Sequence, residues 1–442
     1  MTRPPPILFI AIFYGAGLAT GLARFPDQRF ALPALFVLAV MLRDEWWWPA
    51  LPVVAAGILA GGAARSESGR WCAARLPLGE QRYRVRSVDP GEGTGRVAIF
   101  GEACRGVVTA HWPRSAALAA GAVMRVTARW APSDRPLGRP DGMLLISGVD
   151  SIRVAPTWIE RERTALVRTA DTLFGARAPL VDALVGGWRG ELDPDLRQAF
   201  ARAGLMHLLA ISGFHIVWLA GWVLLILRLL RMPRHPAELA AAITALGYAA
   251  FLGWPAAATR AATLLVVAAF CRWRQRRVRP AALLGVSITI LLITNPWAVA
   301  DTGAWLSVLG LSGVVGAIRW SDGTIGTAWW IRSLSGSTGA LIATAPITAA
   351  AFGQVAPVGV LLNLAGMPLM LGVLPAVFGA LVLHAVLPPV ALAIASSGNG
   401  LLALLQWLVQ VGARAPGAGA LAASGWRAAV PWCLVLVATV WI

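Results

Sequence analysis

The sequence contains no lysine, so each of its 38 basic residues is an arginine. Chemistry that needs a lysine amine, such as a P-loop or a Schiff base, is therefore excluded within this sequence, and so is a motor ATPase. Charged residues are also scarce, at 13% of 442 residues, whereas 57% are hydrophobic. This balance, with repeated long apolar runs, is typical of a polytopic membrane protein.

Cysteine and histidine are rare as well, with four and five residues. Cys271 and Cys433 lie in apolar runs and are expected to be unreactive core residues. Cys72 and Cys104 lie in a polar region, where they are a candidate disulfide if that region is outside the cytoplasm. Neither cysteines nor histidines have the spacing of a zinc site, so we expect no metal and no cofactor.

Composition divides the chain into four regions. They are residues 1–64, with three apolar runs; 65–155, polar and strand-like; 156–204, with short amphipathic helices; and 205–442, with the remaining apolar runs. The three closely spaced runs at 7–23, 30–42 and 46–64 favour transmembrane helices over a cleaved leader. We expect ten to twelve crossings in total.

The region at 65–155 has about five short strand-like runs separated by turn residues, which predicts a small barrel with the OB-fold as the leading candidate. It has 14 arginines against 8 acidic residues, a net charge of +6. OB-folds often bind single strands through basic grooves and stacking aromatics. The aromatic candidates are Trp71, Tyr83, Phe100, Trp112 and Trp130. A core role is favoured for any one of them, and a loose DNA contact for the region as a whole.

Arginine positions predict the topology. One cluster follows the apolar run that ends near residue 230, and a second occupies 272–279. Arginine accumulates on the cytoplasmic side of membrane proteins, so both clusters should be cytoplasmic. With the N-terminus inside, three crossings place residues 65–155 outside the cytoplasm, and the later crossings agree with this parity.

The run at 204–230 is long enough to span a membrane, yet its first half contains His207, Ser212 and His215. Polar groups at bilayer depth usually face a bundle interior or a water-filled path. Gly213 follows the serine, so the pair is a candidate hinge or kink. A plain helix start with both histidines satisfied at the interface is an equally good interpretation.

Three other polar side chains lie in apolar runs. Arg260 lies 12 residues before the second arginine cluster, so about 18 Å from it along a helix and in the outer half of the membrane. It can form a structural ion pair with Asp301 or face a phosphate-carrying path. Gln354 and Asn363 are amides suited to hydrogen bonds between helices, and a scaffold role is favoured for them.

Three stretches resemble the ComEC family, the competence-type DNA internalisation channels of bacterial inner membranes. The first is HLLAISGFHIV at 207–217, and the third is TAPITAAAFGQVAPVGVLLNLAGMP at 344–368. The second runs from Tyr248 to the arginines at 272–279 and on through Asn295-Pro296 and Asp301-Thr302-Gly303 to Ser307. Members usually carry Phe-Gln where this chain has Ala304-Trp305.

The resemblance implies a polytopic α-helical membrane protein with an extracytoplasmic OB-like domain inserted after three spans. It implies an inner-membrane conduit for single-stranded DNA during natural transformation and no enzymatic activity. The DNA-path candidates are His207, Ser212, His215, Arg260, Asp301, Ser307, Gln354 and Asn363. Expected partners are single-stranded DNA, membrane lipid, other competence proteins such as a DNA receptor and a cytoplasmic helicase or motor, and a second copy of the chain.

Many members carry a C-terminal metallo-β-lactamase-like domain, and its metal-binding motif is absent from this sequence. We expect either a natural short form or a gene model cut before that domain. Two other functions fit parts of the sequence. One is a small-solute permease with broken helices. The other is an intramembrane hydrolase using Ser212, His215 and Asp301, which lacks a Gly-x-Ser-x-Gly elbow.

Overall fold

The computed structural model describes residues 6–22, 47–68, 71, 75–88, 94–100, 105–112, 121–132, 142–154, 156–276, 280–416 and 418–421. The predicted span at 30–42 and the cysteines at 72, 104 and 433 lie outside these residues. The helices are α1 (Pro6–Leu22), α2 (Trp47–Ser68), α3 (Trp158–Phe174), α4 (Ala178–Val185), α5 (Pro194–Arg202), α6 (Met206–Leu209), α7 (Gly213–Leu229), α8 (Arg234–Phe251), α9 (Ala256–Trp273), α10 (Pro280–Thr294), α11 (Thr302–Thr324), α12 (Trp329–Phe352), α13 (Gly359–His384) and α14 (Pro388–Arg414). The strands are β1 (Glu80–Ser87), β2 (Thr94–Phe100), β3 (Arg105–His111), β4 (Ala122–Pro132), β5 (Gly142–Val154), β6 (Gln354–Val355) and β7 (Ala420–Leu421).

Within the described residues, three helices are long and apolar enough to cross a membrane: α11, α13 and α14. Shorter apolar helices lie at 9–22, 213–229 and 285–294. The predicted spans at 30–42 and 426–442 lie outside the described residues, and several helices, such as α1 and α10, are shorter than the roughly 20 residues that span the hydrocarbon. The number of crossings therefore stays a prediction.

The predicted span at 204–230 divides into two helices. Residues 206–209 form the single turn α6, the chain is extended at Ala210, and α7 begins at Gly213 with Ser212 as its N-cap. The arrangement therefore replaces one long helix by a broken one. His207 and His215 lie on different helices, so helical spacing does not relate them.

The polar region forms a closed barrel with the strand order β1-β2-β3-β5-β4. Strand β1 pairs with β4 to close the barrel, and β3 runs parallel to β5. Along β4 inward apolar residues alternate with outward ones, as period-two patterning requires. Trp112 and Trp130 are almost fully buried in the barrel core. These two tryptophans therefore pack the barrel and are not exposed for base stacking.

Close glycine contacts bring the N-terminal helices together. A side chain at Gly17 would lie 2.2 Å from the carbonyl of Val54, and one at Gly57 would lie 2.5 Å from that of Tyr14. Gly313 on α11 and Gly339 on α12 likewise allow the backbones of these two helices to approach closely. Backbones that approach this closely favour small residues, as is usual between membrane helices.

Two apolar clusters organise the rest of the helices. Helices α3 to α6 pack with α13 and α14 into one core. Helices α7, α8 and α9 form a second core, in which alanines such as Ala245 and Ala262 allow close packing. The predicted amphipathic helices at 156–204 are present, and Asp193 caps α5 by accepting from the Asp195 backbone N–H at 3.1 Å.

The barrel is joined to the helices through α3. Arg86 on β1 donates to both carboxylate oxygens of Glu160, at 3.1 and 2.6 Å. Arg163, one turn further along α3, donates to the carbonyls of Phe251 and Val88, the latter at 3.0 Å. The barrel therefore lies against the turn that connects α8 to α9.

Strand β2 contacts the same turn. The Arg96 guanidinium lies 3.4 Å from the carbonyl of Leu252. Gly253 has a φ of 82°, and a side chain there would lie 3.0 Å from the Arg96 guanidinium. Glycine is favoured at this position both because of its left-handed backbone and because the arginine approaches it closely.

The junction should weaken in acid. Burial acts to raise the pKa of Glu160, but hydrogen bonds from Arg86 and Thr157 outweigh it, so the pKa is lowered from its usual value. A carboxyl of this kind stabilises the fold fully above its unfolded-state pKa of about 4.3 and loses that effect as pH falls through its lower folded-state pKa. We expect the stability advantage of the wild type over Glu160→Gln in thermal unfolding to shrink below about pH 4.3. A difference that stays constant between pH 3 and 7 would contradict this.

Candidate functional site

The candidate site lies where the start of α7 meets α9. A side chain at Gly213 would lie 3.4 Å from the Cβ of Ala261, so the two helices are in van der Waals contact there. His215 follows Gly213 by two residues on α7, and Arg260 immediately precedes Ala261 on α9. Their side chains are 1% and 5% exposed. Both ionisable groups are thus buried in the same bundle of α7, α8 and α9.

The ring of His215 is held by the N-cap of its own helix. The backbone N–H of Ser212 donates to His215 Nδ1 at 3.4 Å, and the Ser212 hydroxyl lies 3.2 Å from the same atom. A backbone N–H can only donate, so Nδ1 is the acceptor and the proton of the neutral ring is on Nε2. His215 Nε2 has no hydrogen-bond partner among the described residues. The ring therefore presents an unused donor in the interior.

Arg260 presents a second unused donor. Its Nη2 atom lies 3.5 Å from the carbonyl of Gly303, at the limit of a hydrogen bond, and its Nη1 atom is buried without a partner in the described part of the chain. A buried charged donor left unpaired costs more than the 1 to 3 kcal/mol typical of a neutral group. A buried guanidinium of this kind is expected to have a partner that offsets this cost.

Asp301 is not that partner in the geometry observed. Its carboxylate accepts the backbone N–H of Ala304 at 2.7 Å and caps α11. Asp301 is exposed, and no ion pair within 4 Å joins it to Arg260 among the described residues, although the two groups interact electrostatically. A structural ion pair therefore does not account for Arg260.

The other predicted residues are spread along the helices. His207, on α6, interacts electrostatically with His215. Ser307 is half-buried on α11. Gln354 lies in the short strand β6, paired with β7, and the Asn363 Oδ1 atom on α13 is buried without a partner in the described residues. Ser212, Gly213 and His215 therefore lie at the start of α7, beside the segment of α9 that carries Arg260. His207 and Asp301 lie close enough to interact electrostatically with His215 and Arg260, respectively.

The sequence reasoning missed a basic stripe on the barrel. Arg84 on β1 lies directly opposite Arg125 on β4, and both are exposed. Arg82 and Arg129 lie on the same outer surface, where Asp150 lies 3.9 Å from Arg82 and Glu80 lies opposite Arg129. Like charges placed opposite each other in a sheet destabilise it, which favours a function for the pair. The alternation of arginine in residues 82–86 is the signal that predicts such a face.

The sequence reasoning also missed Glu238 on α8. This carboxylate is 6% exposed and accepts from Arg234 and Arg272, both at 2.8 Å. The four-residue spacing of Arg234 and Glu238 is the signal that could have found the first pair. The second pair joins α8 to α9 at the end remote from the barrel, and sequence alone does not place it.

No group of three or more histidine, cysteine, aspartate or glutamate side chains suited to a metal ion occurs in the described ranges of the chain.

A mostly helical chain with long apolar helices, and with ionisable groups buried between them, defines a membrane protein. Residues 184–442 match the model of a family described as competence protein. The chain belongs to this family, as the resemblance to ComEC proteins predicts, and the family has a role in DNA uptake during competence. No curated protein and no solved structure matches the chain.

Proposed function

We propose that this protein is an inner-membrane channel that passes single-stranded DNA into the cytoplasm during natural transformation. The observation that carries the proposal is the pair of buried, unpartnered donors, His215 Nε2 and Arg260 Nη1, on either side of the contact between α7 and α9. Family membership supplies the substrate class. The geometry supplies the residues that would meet that substrate.

Both groups suit a phosphodiester. A phosphate offers only acceptors, and charge-assisted hydrogen bonds from arginine to phosphate are among the strongest in proteins. The buried side chains of the apolar cluster around this contact are alanine, leucine and isoleucine. A passing phosphate would satisfy two donors that the described protein leaves unsatisfied.

The barrel supports the direction of transport. It contacts the turn between α8 and α9, at the opposite end of α9 from Arg272 and Arg274. Eighteen residues of helix separate these ends by about 27 Å, close to the hydrocarbon thickness. If the arginines are cytoplasmic by the positive-inside tendency, the barrel is on the extracytoplasmic side.

The barrel would receive the strand before it enters the membrane. Its five strands and non-sequential β3-β5-β4 order support an OB-like fold, a class that binds single strands. The arginines at positions 82, 84, 125 and 129 provide a basic outer surface. Because the buried tryptophans are unavailable for stacking, phosphate contacts should dominate this binding.

Replacing Arg84 and Arg125 together by glutamine should weaken binding of single-stranded DNA. Each lost phosphate contact reduces the slope of log affinity against log salt by about 0.7 for single strands. We therefore expect the double substitution to lower that slope by about 1.4 in a titration of the purified full-length protein with a fluorescent oligonucleotide.

A matched control is Arg168→Gln, which removes an exposed arginine from α3. It should leave the salt slope unchanged. Equal slopes for the wild type and the Arg84/Arg125 double variant would place DNA capture elsewhere on the protein.

The hydrolase alternative rests on the 3.2 Å contact between Ser212 and His215. In that geometry the His215 Nδ1 atom also accepts the Ser212 backbone N–H. Asp301, the acidic member of the supposed triad, caps α11 and does not orient the histidine. We expect Ser212→Ala to leave DNA uptake within about twofold of the wild type, because the backbone N–H still orients the ring. Loss of uptake with normal protein level in the membrane would favour the hydrolase.

The direct test is uptake of labelled DNA into a DNase-protected form in cells that carry or lack this gene. The channel requires protected DNA only in cells that carry it. Transport of a small solute without protected DNA would favour the permease instead. The proposal includes a DNA receptor and a cytoplasmic helicase or motor as partners, because this sequence has no lysine with which to build a P-loop.

A further inference from the structure

An open, solvent-facing cavity of about 320 Å³ lies between the ends of α8 and α9 that are remote from the barrel. It is lined by Arg234, His235, Glu238, Arg272, Gln275 and Arg276. This volume lies within the range of roughly 300 to 1,000 Å³ found for small-molecule sites. Neither the DNA path nor the barrel uses these residues, so the cavity has no role in the function proposed above.

Two of the arginines that line the cavity pair with its carboxylate. The buried Glu238 carboxylate accepts the Nε–H of Arg234 and the Nε–H of Arg272, each at 2.8 Å. These bonds occupy the Nε atoms and not the terminal amino groups of either guanidinium. The cavity has three guanidinium groups, those of Arg234, Arg272 and Arg276, and one carboxylate, so these four side chains have a net charge of +2. This excess of positive charge favours the binding of an anion.

The backbone at the end of α9 adds a second feature. Gln275 has a φ of 51°, in the left-handed region where helix ends usually carry glycine. The backbone N–H of Arg276 donates to the carbonyl of Cys271 at 2.8 Å and closes the helix end. Glutamine in place of glycine puts an amide on the cavity wall at the cost of backbone strain, and such strain concentrates at functional sites.

The surface beside the cavity is apolar and exposed. Phe270 and Trp273, on the last turn of α9, are 57% and 60% exposed, and their ring centroids lie 5.8 Å apart. Leu239 and Ile243 on α8 are exposed as well. Aromatic residues beside arginines are typical of the boundary between hydrocarbon and headgroups. The basic cavity therefore opens where an apolar helix surface ends.

We propose that this cavity binds the phosphate headgroup of an anionic phospholipid of the cytoplasmic leaflet. The guanidinium groups of Arg234, Arg272 and Arg276 would hold the phosphate, and the apolar surface of α8 and α9 would be covered by the acyl chains. Basic cavities between helix ends on this side of a membrane suit anionic headgroups. A lipid fits better than a nucleic acid strand because the flanking side chains are exposed aliphatic and aromatic groups.

The test is native mass spectrometry of the detergent-solubilised full chain titrated with phosphatidylglycerol or with phosphatidylcholine. We expect phosphatidylglycerol to bind preferentially. A double substitution, Arg234→Gln with Arg276→Gln, should weaken that binding about 25-fold, because each basic group near a membrane surface contributes about fivefold. The double variant keeps the pair between Glu238 and Arg272. If it does not fold, the single variant Arg276→Gln is tested instead.

The matched control is Arg274→Gln, an exposed arginine in the same turn that does not line the cavity. It should bind phosphatidylglycerol as the wild type does. Equal weakening by the control and the double variant would overturn the proposal, as would equal binding of the two lipids. Displacement of phosphatidylglycerol by a short oligonucleotide or by inorganic phosphate at matched concentration would assign the cavity to another anion. Because this assay contains no transport step, its outcome is independent of the DNA-channel proposal.

Discussion

Replacing Arg260 by glutamine should reduce DNA uptake by about 30-fold or more without lowering the thermal stability of the protein. Truncating a buried, hydrogen-bonded charge that binds a charged partner costs about 2 to 5 kcal/mol. In the free protein, however, the guanidinium has an unpartnered Nη1 atom and is 5% exposed. Removing it relieves a desolvation cost, so the melting temperature should stay constant or rise.

Two variants sharpen this test. Arg260→Lys keeps the charge and should retain part of the uptake, whereas Arg274→Gln removes an exposed arginine beyond the end of the same helix and should retain all of it. The amount of each variant in the membrane must be measured alongside uptake. If Arg260→Gln and Asp301→Asn both lower the melting temperature to the same extent, Arg260 forms a structural ion pair and the channel role is contradicted.

The second large effect is expected at Arg163. This buried side chain hydrogen-bonds the carbonyls of Phe251 and Val88, and its guanidinium lies 5.7 Å from the centre of the Phe251 ring. Hydrogen bonds to charged groups contribute about 1.5 to 3 kcal/mol each, so Arg163→Gln should destabilise the protein by about 3 kcal/mol. Uptake should fall as well, because the barrel would be held less firmly against the turn between α8 and α9.

The matched control is Arg161→Gln on the same helix, where the side chain is exposed. Thermal unfolding measures the stability, and hydrogen–deuterium exchange at 86–88 and 251–255 reports the junction. We expect faster exchange in both segments only for the Arg163 variant. Unchanged exchange in that variant would mean that other contacts hold the barrel in place.

The barrel and the helical regions could be predicted because each depends on a local pattern. Alternating residues in β4 and the turn glycines between strands indicate strands whatever they pack against. Asp193 followed by proline indicates a helix start in the same way. Family motifs at 207–217 and 344–368 then indicate the class of the membrane region.

The candidate site could be predicted only in part. Residue types alone single out His215 and Arg260, because ionisable groups are costly in apolar runs. Their position on either side of the Gly213–Ala261 contact depends on the break before α7. An unbroken helix over 204–230 would put His207 and His215 on one helix, whereas the structure has them on two. Ser212 interrupts this run, because it is the N-cap at which α7 begins. The continuous apolar pattern gives no sign of a helix start there.

Contacts between distant segments could not be predicted in detail. Asp301 is the nearest acidic candidate for Arg260 in sequence reasoning, yet a local bond to the Ala304 backbone engages its carboxylate. Similarly, Arg272 and Glu238 meet only because α8 and α9 pack as a hairpin. By contrast, the core role that the sequence favours for each barrel aromatic is confirmed at Trp112 and Trp130, which are almost fully buried.

The central claim is that a DNA strand passes the contact between α7 and α9. A photo-cross-linking phenylalanine analogue at Phe214, next to His215, tests it with DNA stalled in transit by a bulky group on its trailing end. The control places the same analogue at Phe270, which is 57% exposed on the outer surface of α9. The channel predicts a DNA adduct at 214 and none at 270. Stalled DNA that cross-links at neither position, or equally at both, would contradict the account.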